Sequence, residues 1–172
     1  QIFFEDLEIR EPDYYLNCSI ASPAATIGSV IEKIDTLLGD IKPDAILILG
    51  DTNSAMAAIS AKRRHIPIFH MEAGNRSFDL RVPEEINRKV VDHLADINLP
   101  YSDIARSYLI REGIAPDSVI VTGSPMGEVL QRQKNKIESS RILEAQSVTA
   151  GKYFLVSCHR QENVDSEKRL RA

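Results

Sequence analysis

The run AILIL at residues 45–49, which leads directly into GDTNSA at 50–55, decides the fold of this chain. A short continuous apolar run of this kind is typical of a parallel strand that is buried on both faces of a sheet. The residues that follow are small, and they predict a helix soon after the strand. They include Ala55, Ala57, Ala58 and Ala61. We therefore expect a strand that places Asp51 at its carboxyl end, where the chain turns into that helix.

The alternation of strand and helix continues along the chain. Four further apolar runs are predicted strands: IPIF (66–69), INLP (97–100), SVIVTG (118–123) and YFLVSC (153–158). Helical patterns lie between them. This alternation indicates an α/β protein with a Rossmann-like parallel sheet, flanking helices and right-handed crossovers.

Three of the helices have clear beginnings. Ser22 followed by Pro23 is an N-cap with proline at the first helical position. Ser102 caps a second helix, which ends at Gly113. Pro83 begins a third helix, whose apolar stripe is expected to anchor it to the core. That stripe consists of Ile86, Val90, Leu94 and Ile97.

The bulk composition is that of an ordinary globular protein. The chain has 172 residues, of which 43% are hydrophobic and 27% are charged, enough for one domain with a core. A net charge of −4 argues against non-specific binding to nucleic acid. No apolar window approaches the ~18 residues of a membrane span, and the chain opens QIFFEDLEIR without a signal peptide, so we expect a cytoplasmic protein. Cys18 and Cys158 fit no metal or redox spacing.

Polar residues follow the predicted strands at one edge of the sheet. In an open α/β sheet, ligands bind beyond the carboxyl ends of the strands. The candidates at this edge are Asp51, Glu72, Ser124 and His159, and Glu84 joins them if the loop at 73–83 folds back. Three carboxylates and an imidazole are therefore expected to lie together.

Each of these residues also has a simpler explanation. Asp51 and Thr52 could cap the following helix, Glu72 could be an exposed loop carboxylate, and His159 could be a loop histidine. Glu84 and Glu85 could serve the dipole of the helix that begins at Pro83. Spacing alone leaves these alternatives open.

The charges around this edge suit a substrate that carries phosphate and needs proton transfer. Carboxylates held close together push their pKa values apart, so that one can act as an acid and another as a base. Positive charge is expected from Arg76, Arg81, Arg88 and Arg160. The sequence has no GxGxxG, no P-loop and no zinc-ligand spacing, so neither a dinucleotide cofactor nor a metal is predicted.

Five motifs, in this order, resemble the non-hydrolysing UDP-N-acetylglucosamine 2-epimerase family: GDTNSAMAA, HMEAGNRSFD, RVPEEINRKVVDH, TGSPM and SCHRQENVD. The resemblance runs over essentially the whole chain. The second and third motifs are most similar to the capsular and O-antigen polysaccharide branch, in which some members form UDP-N-acetyl-L-fucosamine. The resemblance implies the N-terminal half of a GT-B-like fold, in which two Rossmann-like domains enclose a cleft.

The resemblance also implies a fragment of a longer protein. The family's first strand, with its GTRPE-like loop, and most of its second domain have no counterpart in the sequence. We expect a first domain at 1–140 that lacks this strand, and at 141–172 a junction with the start of a second domain. Residues 126–146 are expected to be polar and helical. The full-length protein is expected to be a homodimer, and the fragment alone is expected to be inactive.

The implied reaction needs no cofactor. A base removes the proton at carbon 2 while UDP leaves carbon 1, and UDP adds back to the resulting glycal after reprotonation on the other face. Asp51 and Glu84 match the family's proton-transfer residues. Glu72 matches a further acid–base or positioning group. His159 would stabilise the diphosphate. The expected substrate-binding residues are Arg81, Arg88, Ser124, Arg160 and Glu162.

Three other functions stay open at this point. A hydrolysing relative would release free N-acetylmannosamine and UDP. A non-catalytic module would only bind a UDP-sugar. A GT-B glycosyltransferase would share the fold, but the PEEINR segment has no obvious role in it.

Overall fold

The structure is a computed structural model that describes residues 2–18 and 22–157, together with Glu167 and Arg171. The chain divides into two compact units, 1–127 and 128–172, and each is described by itself. The helices of the first unit are α1 (Ile2–Asp6), α2 (Pro23–Ile41), α3 (Ala57–Arg63), α4 (Pro83–Leu94) and α5 (Asp103–Arg111). Its strands are β1 (Ile46–Leu49), β2 (Ile68–Met71) and β3 (Ile97–Leu99).

The three strands form a parallel sheet in the order β1-β2-β3. Ile48 of β1 lies opposite His70 of β2, and His70 lies opposite Asn98 of β3. The predicted α/β class, with a parallel sheet and flanking helices, is therefore confirmed. The second strand begins two residues later than predicted, at Ile68. Pro67 precedes it and, lacking an N–H, contributes only its carbonyl, which accepts from the N–H of Ile46 at 2.9 Å.

Two predicted strands differ in the structure. The segment at 118–123 makes one isolated parallel bridge, Asn98 with Val119, and the N–H of Ile120 donates to Asn98 O at 2.9 Å. Residues 153–157 form no strand, and Phe154 is 99% exposed. A strand requires a neighbour to receive its backbone hydrogen bonds. The described residues of 128–172 contain no strand.

The prediction that β1 is buried on both faces is wrong. Ile48 lies in the core beside Ile68, but Leu47 and Leu49 on the opposite face are 64% and 63% exposed. Successive side chains of a strand point to opposite faces. Covering both faces needs elements on each side, and the run AILIL carries no information about that.

The core forms where α2, α3 and α4 meet the inner face of the sheet. Ala58 and Ala61 of α3 are fully buried, and their lack of bulk lets the helix approach its neighbours closely. Leu38, Ile68 and Val91 belong to the same apolar cluster. Helix α2 begins as predicted, because the Ser22 hydroxyl accepts from the N–H of Ala25 at 3.2 Å.

Helix α4 packs with a polar face, which the sequence did not predict. Its buried residues are Glu85, Asn87, Val91 and Asp92. Ile86, predicted to anchor the helix, is 54% exposed. Val90 and Leu94 do pack against the core as partly buried residues, and the helix ends at Leu94, so Ile97 belongs to β3 instead.

Three further short helices follow α5 in the chain. Residues 126–146, predicted to be helical, form α6 (Met126–Arg132), α7 (Lys134–Glu138) and α8 (Ile142–Ala145), and none of the three contains a buried residue. Across the described residues of both units, none of the helices has the length and apolar content needed to span a membrane.

We expect Gly74→Ala to destabilise the chain by roughly 2–5 kcal/mol. Gly74 has a φ of +76°, and a Cβ there would lie 2.5 Å from the Ala105 carbonyl oxygen and 2.9 Å from Leu109 Cγ. Urea denaturation gives the free energy of unfolding. The matched control is Gly28→Ala within α2, where a Cβ meets nothing within 4 Å and the helix should gain about 0.5–1 kcal/mol. Equal effects of the two substitutions would contradict the account.

Candidate active site

Asp51 lies in the turn after β1, and its carboxylate is held by an arginine. Arg88 Nε donates to Asp51 Oδ2 at 2.5 Å, and both side chains are about four-fifths buried. The alternative in which Asp51 and Thr52 cap the next helix through their side chains is wrong. The 3-10 helix that follows, Asn53–Met56, has Thr52 at its N-cap position, and Thr52 makes no side-chain capping bond.

Glu72 lies directly after β2, beside the same turn. Its Oε1 accepts from Asn75 Nδ2 at 3.2 Å, and its Oε2 lies 3.7 Å from the point that a Cβ on Gly50 would occupy. The backbone of Glu72 is left-handed, with a φ of +66°. Such a conformation costs about 1–3 kcal/mol in a residue other than glycine. Glu72 therefore belongs to a constrained turn and is not a freely exposed loop carboxylate.

Glu84 occupies the first turn of α4 and is half-buried. None of the side-chain hydrogen bonds found among the described residues involves its carboxylate. Arg88, which holds Asp51, lies four residues further along the helix and therefore on the same side of it. The helix that carries Glu84 is thus attached to the turn that carries Asp51.

Glu85, not Glu84, is the buried glutamate of this pair. It is fully buried, and its Oε2 accepts from the Ser77 N–H at 2.9 Å, from the Ser77 hydroxyl at 3.0 Å and from Arg88 at 2.9 Å. Its Oε1 accepts from the Phe78 N–H at 3.3 Å. The loop between β2 and α4 is therefore fastened to the helix by one carboxylate.

These contacts decide the ionisation of Glu85. Burial by itself would raise the pKa of this carboxyl, but the hydrogen bonds from Ser77, Arg88 and Phe78 outweigh burial and lower the pKa. Hydrogen bonds to the charged form favour that form. Glu85 is therefore a carboxylate at neutral pH.

A second buried network lies behind the site. Arg76 donates to Asp92 at 2.8 Å and to Glu112 at 2.5 Å, and the Arg76 and Asp92 side chains are completely buried. His70 joins Asp92 Oδ1 through Nδ1 at 2.8 Å and the Gly50 carbonyl oxygen through Nε2 at 3.0 Å. Arg76 was expected to supply charge to the ligand edge, and that expectation is wrong because its guanidinium is engaged by the buried Asp92 and the partly exposed Glu112.

The Arg76 network shifts two pKa values. The hydrogen bond from Arg76 is the main cause that lowers the pKa of Glu112, and burial opposes it. Burial would lower the pKa of Arg76, but Glu112 and Asp92 together raise it. Breaking a buried pair of this kind leaves an uncompensated charge at a cost of about 3–5 kcal/mol.

The predicted substrate-binding residues are placed less uniformly. Arg88 lies within the site and has donors left over, because only two of its five N–H groups are engaged by described residues. Arg81 is exposed and pairs with Asp79 at 2.7 Å. Ser124 is exposed, and its hydroxyl accepts from the Met126 N–H at 3.3 Å. His159, Arg160 and Glu162 lie outside the described residues.

Three residues in or next to the candidate site were not predicted from the sequence. Tyr101 is the first ionisable residue after β3, and burial followed by the charge of Glu72 raises its pKa. Its position just beyond the end of a strand is the sequence signal that could have identified it. The buried Asn87 and Asp92 had no such signal, since polar residues in the middle of a helix usually face solvent. Among the described residues, no group of three His, Cys, Asp or Glu side chains could hold a metal ion.

Comparison with known proteins gives a consistent result. Residues 1–172 match the family described as UDP-N-acetylglucosamine 2-epimerase. A UDP-N-acetylglucosamine 2-epimerase of Methanocaldococcus jannaschii is 38% identical over 99% of this chain and 48% of its own length. The chain thus spans about half the length of the curated relatives it matches.

Solved structures agree with the sequence match. The structure of a UDP-N-acetylglucosamine 2-epimerase from Rickettsia bellii has a TM-score of 0.90 at 53% identity, over 95% of this chain and 44% of that one. The Methanocaldococcus jannaschii enzyme in complex with UDP-GlcNAc and UDP has a TM-score of 0.89 at 36% identity, over 99% of this chain and 48% of that one. These structural similarities confirm the prediction of a GT-B-like fold.

We expect Glu85→Gln to destabilise the chain by about 1–3 kcal/mol at pH 7, because the amide loses the charge that Arg88 faces. A carboxyl whose folded pKa is lowered contributes stability above its unfolded pKa of about 4.3 and loses it as the pH falls through the folded pKa. The difference between variant and wild type should therefore shrink below about pH 4. Urea midpoints measured from pH 7 to pH 3 test this, with the exposed Glu32→Gln as control. A constant difference across that range would contradict the ionised state of Glu85.

Proposed function

The chain belongs to the UDP-N-acetylglucosamine 2-epimerase family, and on that basis we propose that it is the N-terminal half of an enzyme that epimerises carbon 2 of a UDP-linked N-acetylaminosugar. The observation that carries the proposal is the meeting of Asp51, Glu72 and the first turn of α4 at the carboxyl ends of β1 and β2. This is the edge at which open α/β sheets bind ligands. In the proposed full-length enzyme, a second domain would complete the cleft.

The proposed reaction proceeds through elimination and re-addition. A carboxylate takes the proton from carbon 2 as the bond between carbon 1 and the UDP oxygen breaks, which leaves a glycal and UDP. An acid on the other face returns a proton to carbon 2, and UDP adds again to carbon 1. Atoms and charge balance without a redox step. Asp51 and Glu84 are the proposed proton-transfer residues, and Glu72 is a further acid–base or positioning group.

The leaving group needs positive charge. Arg88 has donors that no described residue engages, and a guanidinium can bind phosphate oxygens in a bidentate manner. His159 and Arg160 would complete this charge, with Arg81, Ser124 and Glu162 as further substrate contacts. Electrostatic stabilisation of a leaving diphosphate is worth several kcal/mol in a site that excludes water.

The finer assignments follow from the motifs. The sequence MEAGNRSFD followed by RVPEEINRKVVDH supports the capsular and O-antigen branch. It also supports a non-hydrolysing mechanism and a UDP-N-acetyl-L-fucosamine-type product. A cytoplasmic homodimer is proposed for the full-length protein. A hydrolysing relative is the main competitor, and it would release free sugar in place of an epimerised UDP-sugar.

We expect Asp51→Asn and Glu84→Gln in the full-length protein each to lower kcat by about 10²- to 10⁴-fold, because each removes a proton-transfer group. NMR in deuterium oxide follows both the carbon-2 epimer and deuterium incorporation at that carbon. Glu32→Gln, exposed on α2, should leave turnover unchanged. Normal turnover by both carboxylate variants would refute the proposed chemistry and favour a binding module. Release of free sugar by the wild type would identify a hydrolase.

We also expect the 172-residue chain to be catalytically silent, because it spans about half the length of its relatives. Incubation of chain and full-length protein with the same UDP-sugar, followed by NMR, tests this. The full-length protein is the positive control. Turnover by the isolated chain would contradict the expectation.

A further inference from the structure

We propose that Asn87 is a positioning residue for Asp51. The proposal rests on the proposed function, since it assigns Asn87 to the alignment of a proton-transfer group. Asn87 lies on the buried face of α4, three residues after Glu84, and is 5% exposed. Its side chain is an uncharged amide, so any effect on Asp51 comes through hydrogen bonds.

The contacts of Asn87 are directed at a single turn. Its Nδ2 donates to the carbonyl oxygen of Asp51 at 2.9 Å and to Oδ1 of Asn53 at 3.1 Å. An amide nitrogen has two N–H donors, so both are used on residues 51 and 53. The partners are more than thirty residues away in sequence, which makes this a tertiary clamp.

The turn at 50–53 has one local backbone hydrogen bond, from the Ala55 N–H to the Thr52 carbonyl oxygen at 2.8 Å. Gly50 has a φ of +74°, and Thr52 makes no side-chain capping bond. The restraints found on the backbone carbonyls of Gly50 and Asp51 come from other elements: His70 on Gly50 O at 3.0 Å, and Asn87 on Asp51 O. Arg88 restrains only the carboxylate of Asp51. Asn87 therefore fixes the backbone from which the Asp51 side chain projects.

The position of Asn87 on α4 connects its hydrogen bonds to the proposed catalysis. The same helix carries Glu84 in its first turn, so the clamp sets the distance between the two proposed proton-transfer residues. A misplacement of about 1 Å can cost on the order of 10²-fold in rate even when no catalytic group is removed. Loss of Asn87 should therefore slow the chemistry without removing a group that binds substrate.

The test compares Asn87→Ala with Ser60→Ala in the full-length protein. Ser60 is also buried, and its hydroxyl donates to the Ile31 carbonyl oxygen at 2.9 Å between α3 and α2, away from the turn. We expect Asn87→Ala to lower kcat by about 30-fold or more, with KM changed by less than about threefold. Ser60→Ala should lower the melting temperature but keep kcat within about twofold. Asn87→Ser, which retains a donor, should recover part of kcat.

A second measurement does not depend on activity. Hydrogen exchange of the backbone amides of residues 50–55 should accelerate about tenfold or more in Asn87→Ala and stay unchanged in Ser60→Ala. If the wild-type protein turns over no UDP-sugar, the proposed function fails and hydrogen exchange alone decides whether Asn87 positions the turn.

Three results would overturn the proposal. The first is wild-type kcat in Asn87→Ala, and the second is unchanged hydrogen exchange at residues 50–55. The third is a protein that folds with neither alanine nor serine at position 87, which would make Asn87 a folding residue.

Discussion

Helix α4 buries two carboxylates, Glu85 and Asp92, and an arginine compensates each of them. Glu85 is paired with Arg88, and Asp92 is paired with Arg76. A buried carboxylate without such a partner would cost several kcal/mol, which is a large share of the stability of a domain of this size. The first unit can therefore keep this helix against its sheet only while the loop between β2 and α4 holds Arg76 and Ser77 in place.

The two networks converge on one turn of the chain. One runs from Ser77 through Glu85 and Arg88 to the carboxylate of Asp51. The other runs from Glu112 through Arg76, Asp92 and His70 to the carbonyl of Gly50. The turn after β1 is thus held from two directions by residues that lie far from it in sequence. This arrangement explains how a part of the chain rich in charges can be well packed.

The amount that could be predicted differs between the elements. The start of α2 at Ser22-Pro23 and the start of α4 at Pro83 were predictable, because capping and proline geometry act within one turn of helix. The three strands of the sheet were found from short apolar runs. The strand predicted at 153–158 does not form over its described residues, 153–157, because no neighbouring strand pairs with them there. The exposed face of β1 was also missed, for an apolar run does not reveal which of its faces is covered.

The candidate site shows the same division. Position after a strand end placed Asp51 and Glu72 at one edge of the sheet, as the structure has them, since the carboxyl ends of parallel strands lie together. The sequence by itself thus determined the parallel α/β class, the beginnings of the main helices and the edge of the sheet at which Asp51 and Glu72 lie. Only the tertiary structure decided which of two adjacent glutamates is buried and which arginines are consumed inside. Neighbouring residues on a helix point about 100° apart. The loop N–H groups of Ser77 and Phe78 meet Glu85 and not Glu84, and that depends on where the folded chain brings them.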